Sequence, residues 1–264
     1  MTPTYDISVL VLCYNASNFI EQCLSSVLTQ EHTLRVQLVV LDDASSDHSF
    51  ERIQSSLKLL DSSDVIAIQN QENLGCYHNL EKGLSLCQGK YIAYLEGDDF
   101  WLSTTKLQDQ FNHLESNKGL SGIGGRCIFI DEAGNQTEQK YYTEVEDKTW
   151  TNSDFWVYPP FQASSFMFRN TLRLPHSIDK LCCNDKLLYV LASAQGDIYY
   201  HSGLTTAYRY HKENVSHRVD LKTVYREHVK TNTLLLNHLG MRYAVWYLLG
   251  LLKMTYMRFR TSGQ

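Results

Sequence analysis

Residues Tyr91–Trp101 read YIAYLEGDDFW, an apolar run that passes directly into three carboxylates, Glu96, Asp98 and Asp99, with only Gly97 between them. Like charges this close repel one another unless a cation or hydrogen-bond donors offset them. The run predicts a strand that delivers its acids to one point in space. Two earlier runs have the same character, ISVLVLC at Ile7–Cys13 and VQLVVL at Val36–Leu41. Short runs of Val, Ile and Leu without polar alternation suit strands covered on both faces, as in a parallel sheet.

Between these runs, Phe19, Ile20, Cys23, Leu24, Val27 and Leu28 recur at helical spacing, and Asn18 with Glu21 forms a candidate capping box. The pattern continues with a helix over 47–60, a strand over 65–69 and a helix over 74–87. Such alternation predicts an α/β fold with right-handed crossovers and helices on both faces of the sheet. Ligands of these sheets bind beyond the carboxyl ends of the strands. The loops expected there are 14–17, 42–47 and 96–100, all polar or acidic.

After Trp101 a helix is expected over 107–115, then a strand GRCIFID and a turn at Ala133-Gly134-Asn135 leading into a second strand. The aromatic stretch FWVYPPFQASSFMF, 155–168, has no assignable period; Trp156, Tyr158, Phe161 and Gln162 either form an acceptor platform or fill a core. A helix over 185–193, strands over 197–201 and 204–210, and a helical C-terminus complete the expectation.

With 264 residues, 43% hydrophobic and 12% aromatic, the chain has material for a full core. A net charge of −5 argues against general nucleic-acid binding, so any basic patch must be local. Seven cysteines without a C-x-x-C pair are expected to be reduced thiols of a cytosolic protein. The N-terminal run lacks a basic leader, so no secretory signal is expected. No stretch reaches the ~18 apolar residues of a spanning helix.

In order along the chain, SVLVLCYNASNFIEQCLSSVLTQ, LVVLDDASSD, GKYIAYLEGDDFW and GDIYYHSGLTTAYRYHKENVS resemble the family 2 glycosyltransferases with the GT-A fold, over roughly residues 5–215. The resemblance implies a Rossmann-like, mostly parallel central sheet flanked by helices. A nucleotide half would span about 1–101 and an acceptor half about 102–215, with a C-terminal helical extension over 216–264. It implies metal-dependent, inverting transfer of a sugar from a nucleotide donor, most simply UDP-linked, to a glycan or lipid-linked saccharide, in bacterial surface polysaccharide assembly.

By the same resemblance Tyr14 stacks on the nucleotide base, a contact worth about 1–3 kcal/mol per base, and a carboxylate of Asp42 or Asp43 binds uracil or ribose. Asp98 and Asp99 are assigned to metal and ribose with Glu96 nearby, the division of labour left open. Oxygen ligands of this kind suit Mg²⁺ or Mn²⁺. Arg209 would pair with phosphate oxygens and His211 would ligate the metal. Asp185, before an apolar-periodic helix, is the expected base, although the Glu that usually precedes it is absent and Asp179 lies close in sequence. The family more often has Gly at the place of Ala44 and Asp at the place of Glu96. Asn79, Lys82 and Lys90 fall between motifs and could approach the nucleotide.

From Lys222 onward, seven basic residues stand against one acid, Glu227, interleaved with Tyr243, Trp246, Tyr247, Leu248, Leu249, Leu251, Leu252, Tyr256 and Phe259. Such a segment either lies in a membrane interface, peripheral to the inner face of the cytoplasmic membrane, or packs on the domain or a second subunit of a homo-oligomer. Two rivals to the transferase remain. A nucleotidyltransferase normally opens with a glycine-rich loop after the first strand, which ASNF is not; a noncatalytic nucleotide-sugar-binding protein would keep the sheet without the base.

Overall fold

The continuous apolar runs become strands because each serves two packed layers at once. In a computed structural model, which describes residues 4–58, 62–138, 146–157, 161–176, 184–212, 214 and 221–261, strand β1 (Tyr5–Cys13) sends Ile7, Val9, Val11 and Cys13 into one core and Leu10 and Leu12 into another. Strands β2 (Val36–Asp42) and β4 (Gly89–Glu96) divide in the same way, Leu38, Val40, Tyr91, Ala93 and Leu95 to the first side, Val39, Leu41, Ile92 and Tyr94 to the second. Successive side chains of a strand point to opposite faces, so a strand covered on both sides shows no polar alternation.

The first layer comprises α1 (Ile20–Leu28), α2 (Ser49–Leu57) and α4 (Lys106–Ser116); the second includes α3 (Gly75–Leu86) and α6 (Asn184–Ser193). The remaining strands are β3 (Val65–Gln69), β5 (Phe100–Trp101), β6 (Leu120–Ile130), β7 (Lys148–Trp150), β8 (Met167–Arg169) and β9 (Asp197–Arg209). Nine strands join one sheet in the order β3-β2-β1-β4-β8-β6-β9-β5, with β7 pairing β9. Strands β1 to β4 are mutually parallel, β8 is antiparallel to its neighbours β4 and β6, and β6 is parallel to β9. Strands β5 and β7 run against β9. Four of these eight pairings are parallel and include most of the paired residues, so the sheet is mostly parallel as expected, and each antiparallel pairing involves a strand from Phe100 onward. Helices α5 (Asn152–Val157), α7 (Leu221–Leu239) and α8 (Ala244–Thr261) complete the fold.

Several local expectations change. Asn18 does not cap α1; the backbone N–H groups ahead of that helix are met across the loop, Ala16 donating to Ser49 Oγ at 2.9 Å and Ser17 to Asp47 Oδ2 at 3.0 Å. The two strands expected over 197–210 are a single strand with a bulge, where the β6–β9 register moves from Gly125–His201 to Arg126–Thr205. After the turn at Gly134, only an Ile130–Gln136 bridge follows among the described residues. The aromatic stretch supplies α5, a short 3₁₀ turn at Ala163–Ser165 and β8. Phe155, Trp156, Phe161, Phe166 and Phe168 are fully buried, so Trp156 and Phe161 fill a core and form no acceptor platform; Tyr158 lies outside the described residues.

Candidate active site

Strand register gathers the motifs. Leu12 of β1 stands opposite Glu96 of β4, and Cys13 opposite Asp42 of β2, so three loops leave the sheet side by side. They are then tied together through the backbone, Gly97 N–H donating to Leu12 O and Asp43 N–H to Cys13 O, both at 2.8 Å. A Cβ on Gly97 would come within 3.2 Å of Cys13 Cα, which is why the acids of LEGDD are interrupted by glycine.

Asp42 is completely buried, and its oxygens accept from Ser45 N–H at 3.0 Å, the Ser45 hydroxyl and Gln69 Nε2 at 3.1 Å. These bonds shape the loop that follows β2. Asp43 accepts from Leu74 N–H at 2.8 Å and Gly75 N–H at 2.9 Å, capping α3, and from Asn70 Nδ2 at 2.8 Å. Asn70 in turn binds Asn79 and accepts from Lys82 Nζ at 2.7 Å, so these two side chains support the acidic pair from behind. Lys90 is at the opposite end of β4, paired with Glu115 at 2.5 Å, and takes no part in the site. Tyr14, 49% exposed, stands over the loop ends next to Asn15, whose Oδ1 accepts from Ser46 N–H at 2.9 Å.

The three acids of LEGDD separate into different environments. Asp99 is 1% exposed; its Oδ1 accepts the Arg209 backbone N–H at 2.9 Å and its Oδ2 the Ser164 hydroxyl at 2.5 Å. Burial, then the neighbouring Asp98 charge, pushes its carboxyl well above the ordinary range. In this structure it braces the end of β9. Glu96 accepts a hydrogen bond from the Tyr94 hydroxyl, and its carboxyl is pushed up to about 8 by burial, by the charge of Asp98 and by that of Asp185.

Asp98 keeps partial exposure, 24% of its side chain, and its Oδ2 lies 2.9 Å from His211 Nε2 and 3.3 Å from Asn214 Nδ2. All its described side-chain hydrogen bonds fall on Oδ2. Arg209 is 3% exposed and its guanidinium is engaged by protein: Nε donates to Asp98 O at 3.2 Å, Nη1 to Asp131 O and Glu132 O, and Nη2 to Gln22 Oε1 at 2.6 Å. Arg209 therefore clamps the loop end of β6, α1 and the acidic loop together. A cavity of about 650 Å³, lined by Asp131, Glu132, Ala133, Tyr210, His211 and Lys212, opens beside it.

No three metal-ligating side chains cluster among the described residues. What remains is an oxygen and a nitrogen donor side by side, Asp98 and His211. The carboxylate suits Mg²⁺ or Mn²⁺, which take one or two carboxylates and complete their shells with water and phosphate oxygens, while the imidazole is the softer donor of the pair. Asp185 is at the first turn of α6, its Oδ1 2.7 Å from its neighbour's N–H. Its charge is felt at both Glu96 and Tyr94, so the candidate base shares the neighbourhood of the acidic loop. Asp179 lies outside the described residues.

The model of glycosyl transferase family 2 matches residues 8–173. The chain belongs to glycosyl transferase family 2. Within that family, it is 30% identical over 112 residues to the Escherichia coli UDP-Glc:alpha-D-GlcNAc-diphosphoundecaprenol beta-1,3-glucosyltransferase WfaP, covering 42% of each chain. It is 32% identical over 126 residues, 48% of each chain, to the putative teichuronic acid biosynthesis glycosyltransferase TuaG of Bacillus subtilis. The chain thus spans about half the length, or less, of these relatives. Its fold is shared with S. aureus TarS in complex with UDP-GlcNAc (TM-score 0.67, 18% identity, 88% of this chain and 66% of that one). It is also shared with the mannosyltransferase PcManGT of Pyrobaculum calidifontis in complex with GDP-Man and Mn²⁺ (TM-score 0.66, 16% identity, 88% and 64%).

The family match ends before Asp185, Arg209 and His211, so for these three residues the geometry above is the stronger guide. Sequence reasoning missed Ser164, which donates its hydroxyl to Asp99 and accepts Glu96 N–H at 3.3 Å, and Gln22, which anchors the Arg209 clamp. Ser164 sits inside the aromatic stretch and Gln22 on an ordinary helix, with no spacing signal at either. Asn214 is also buried, its Nδ2 donating to Asp98 Oδ2 and Arg209 O.

Proposed function

We propose that this family 2 chain is an inverting glycosyltransferase that moves a sugar from a nucleotide donor, UDP-linked, to a glycan or lipid-linked saccharide at the inner face of the cytoplasmic membrane, in bacterial surface polysaccharide assembly. The observation that carries the reading is the placement of three groups. Asp98 and His211 stand together at the cleft, and the charge of Asp185 reaches the carboxyl of Glu96 on the same loop. In this reading donor and acceptor chemistry share the neighbourhood of one acidic loop. The names of WfaP and TuaG, with the ligands in the TarS structure, favour a UDP donor and a cell-surface product.

In this reading Tyr14 stacks on the base, and Asp43, fixed by the N-terminal amides of α3, borders the nucleoside. Asp98 and His211 would hold Mn²⁺ or Mg²⁺. When bound, such a cation offsets the charge gathering on the departing diphosphate. The Asp185 carboxylate takes the proton from the acceptor hydroxyl as its oxygen attacks the anomeric carbon. The bond from that carbon to the diphosphate oxygen breaks, UDP leaves, and attack from the opposite face inverts the centre.

Donor turnover tests this. With a panel of nucleotide sugars and no acceptor, slow Mn²⁺-dependent release of UDP without pyrophosphate is expected, and Asp98→Asn should abolish it. Once an acceptor is found, Asp185→Asn should lower kcat by about 10²–10⁴ while leaving donor binding intact. Pyrophosphate release from a nucleoside triphosphate and a sugar 1-phosphate would instead identify a nucleotidyltransferase, and absence of turnover with every donor would leave a binding protein.

A further inference from the structure

Helix α8 is seated by one face and exposes an apolar stripe on the other. Tyr243 and Tyr247 pack against the core, and a Cβ on Gly250 would come within 2.5 Å of Trp156 O, so glycine lets α8 lie directly on α5. That contact fixes how α8 is turned. Val245, Leu248 and Leu252, at steps of three and four, are then 61%, 56% and 66% exposed, with Trp246 and Leu249 beside them and Met241, 76% exposed, in the turn just before the helix. Side chains at this spacing form one continuous strip along a helix, and an exposed contiguous apolar patch marks an interaction surface.

Charge selects the occupant. From Lys222 to the C-terminus there are seven Lys and Arg against one acid, whereas the rest of the chain has 17 basic against 28 acidic residues. Lys222, Arg226, Lys230 and Arg242 are exposed. A net acidic body is repelled by an anionic surface while its basic end is attracted, so attraction and apolar burial coincide at this end alone. A second copy of the chain would bring like-charged ends together. No described helix is long and apolar enough to cross a membrane.

We propose that the Met241–Leu252 face is a docking surface for an anionic lipid bilayer, with α8 lying in the headgroup region and not spanning it. Docking itself is independent of the transferase reading; its consequence, that the acceptor is met at the bilayer and is lipid-linked, rests on that reading.

The test is vesicle flotation of the full chain with phosphatidylcholine alone and with phosphatidylcholine containing phosphatidylglycerol, at low and high salt, for the wild type and a Leu248→Glu/Leu252→Glu variant. Both replaced side chains are exposed, so the variant should keep its circular dichroism and its donor hydrolysis. Expected is salt-sensitive flotation of the wild type with the anionic vesicles only, reduced about tenfold or more in the variant. No flotation of the wild type, or equal flotation of the variant, overturns the proposal. So does a wild-type dimer in solution that the variant converts to monomer without any vesicle binding, which would assign the face to a second copy. Wild-type flotation without any donor hydrolysis would count against the transferase reading and leave docking standing.

Discussion

Ala44 has a backbone φ of 56°, in the left-handed region where a Cβ crowds the following carbonyl. Its place is imposed by Asp42, whose oxygens hold Ser45 one residue further on. Ala44→Gly removes that crowding and loosens the unfolded chain, two effects of opposite sign, and the first is the larger. We expect a gain of about 0.5–1 kcal/mol in urea unfolding with donor turnover unchanged; a loss of stability would show that the turn is not strained. The same comparison shows what residue identity can reveal. The acids of DDAS and EGDD are visible in the sequence because carboxylates beyond a buried strand need a reason. Which of them faces a ligand is not visible, since Asp98 and Asp99 are adjacent and chemically alike, and only the contacts of Ser164 and the Arg209 N–H separate the brace from the open group. The contacts of Arg209 with Gln22 and the Asp131 carbonyl are illegible for the same reason: a motif records the type of side chain and not its partners.

Among the elements, α4 presents an unusual inward face, Lys106, Leu107, Gln110 and Leu114, all buried. Its apolar members give the helix its legible period, whereas Lys106 and Gln110 would be placed in solvent by any pattern rule. Lys106 is fully buried, donates from Nζ to Gln110 Oε1 at 2.8 Å and lies 4.2 Å over the Trp101 ring, with no carboxylate in this set of contacts. Burial pulls its ammonium down to about 7 from the ordinary 10.5. Between those two values the unfolded chain carries a proton that the folded chain lacks, so stability rises with pH across this window, by up to about 1.4 kcal/mol per pH unit. Below pH 7 both states carry it and the cost of burying the charge is fully present. Lys106→Met should therefore raise the unfolding midpoint at pH 6.5 and flatten its rise between pH 7 and 9, read by denaturant titration at each pH. A wild type whose stability is flat over that range would show that Lys106 is charged and solvated. Strands were more legible than this helix because burial on both faces leaves no polar position to misplace; the single β9, read as two strands, shows the limit, since a bulge looks like a break.

At the scale of the molecule, the site is an assembly of segments distant in sequence: Arg209 reaches Gln22 across 187 positions and His211 reaches Asp98 across 113. The order of the motifs announces that they meet, because parallel strands put every carboxyl end on one edge. The later half announces less, because β8 and β5 reverse direction and its aromatic residues are spent on a core. A ligand that touches Tyr14, Asp98 and His211 together binds only when all these segments are in place, so it stabilises the folded chain as a whole. At a hundredfold excess over Kd this amounts to about 2.7 kcal/mol, or roughly 5–10 °C in Tm for a chain of this size. UDP with Mn²⁺ is expected to give such a shift, with either alone giving much less, because the diphosphate and the Asp98–His211 pair each supply only part of the cation's shell. Asp98→Asn should abolish the joint shift and Asp185→Asn should keep it, since the base touches the acceptor and not the donor diphosphate. A shift that survives Asp98→Asn, or that UDP alone produces in full, would place the nucleotide away from the acidic loop.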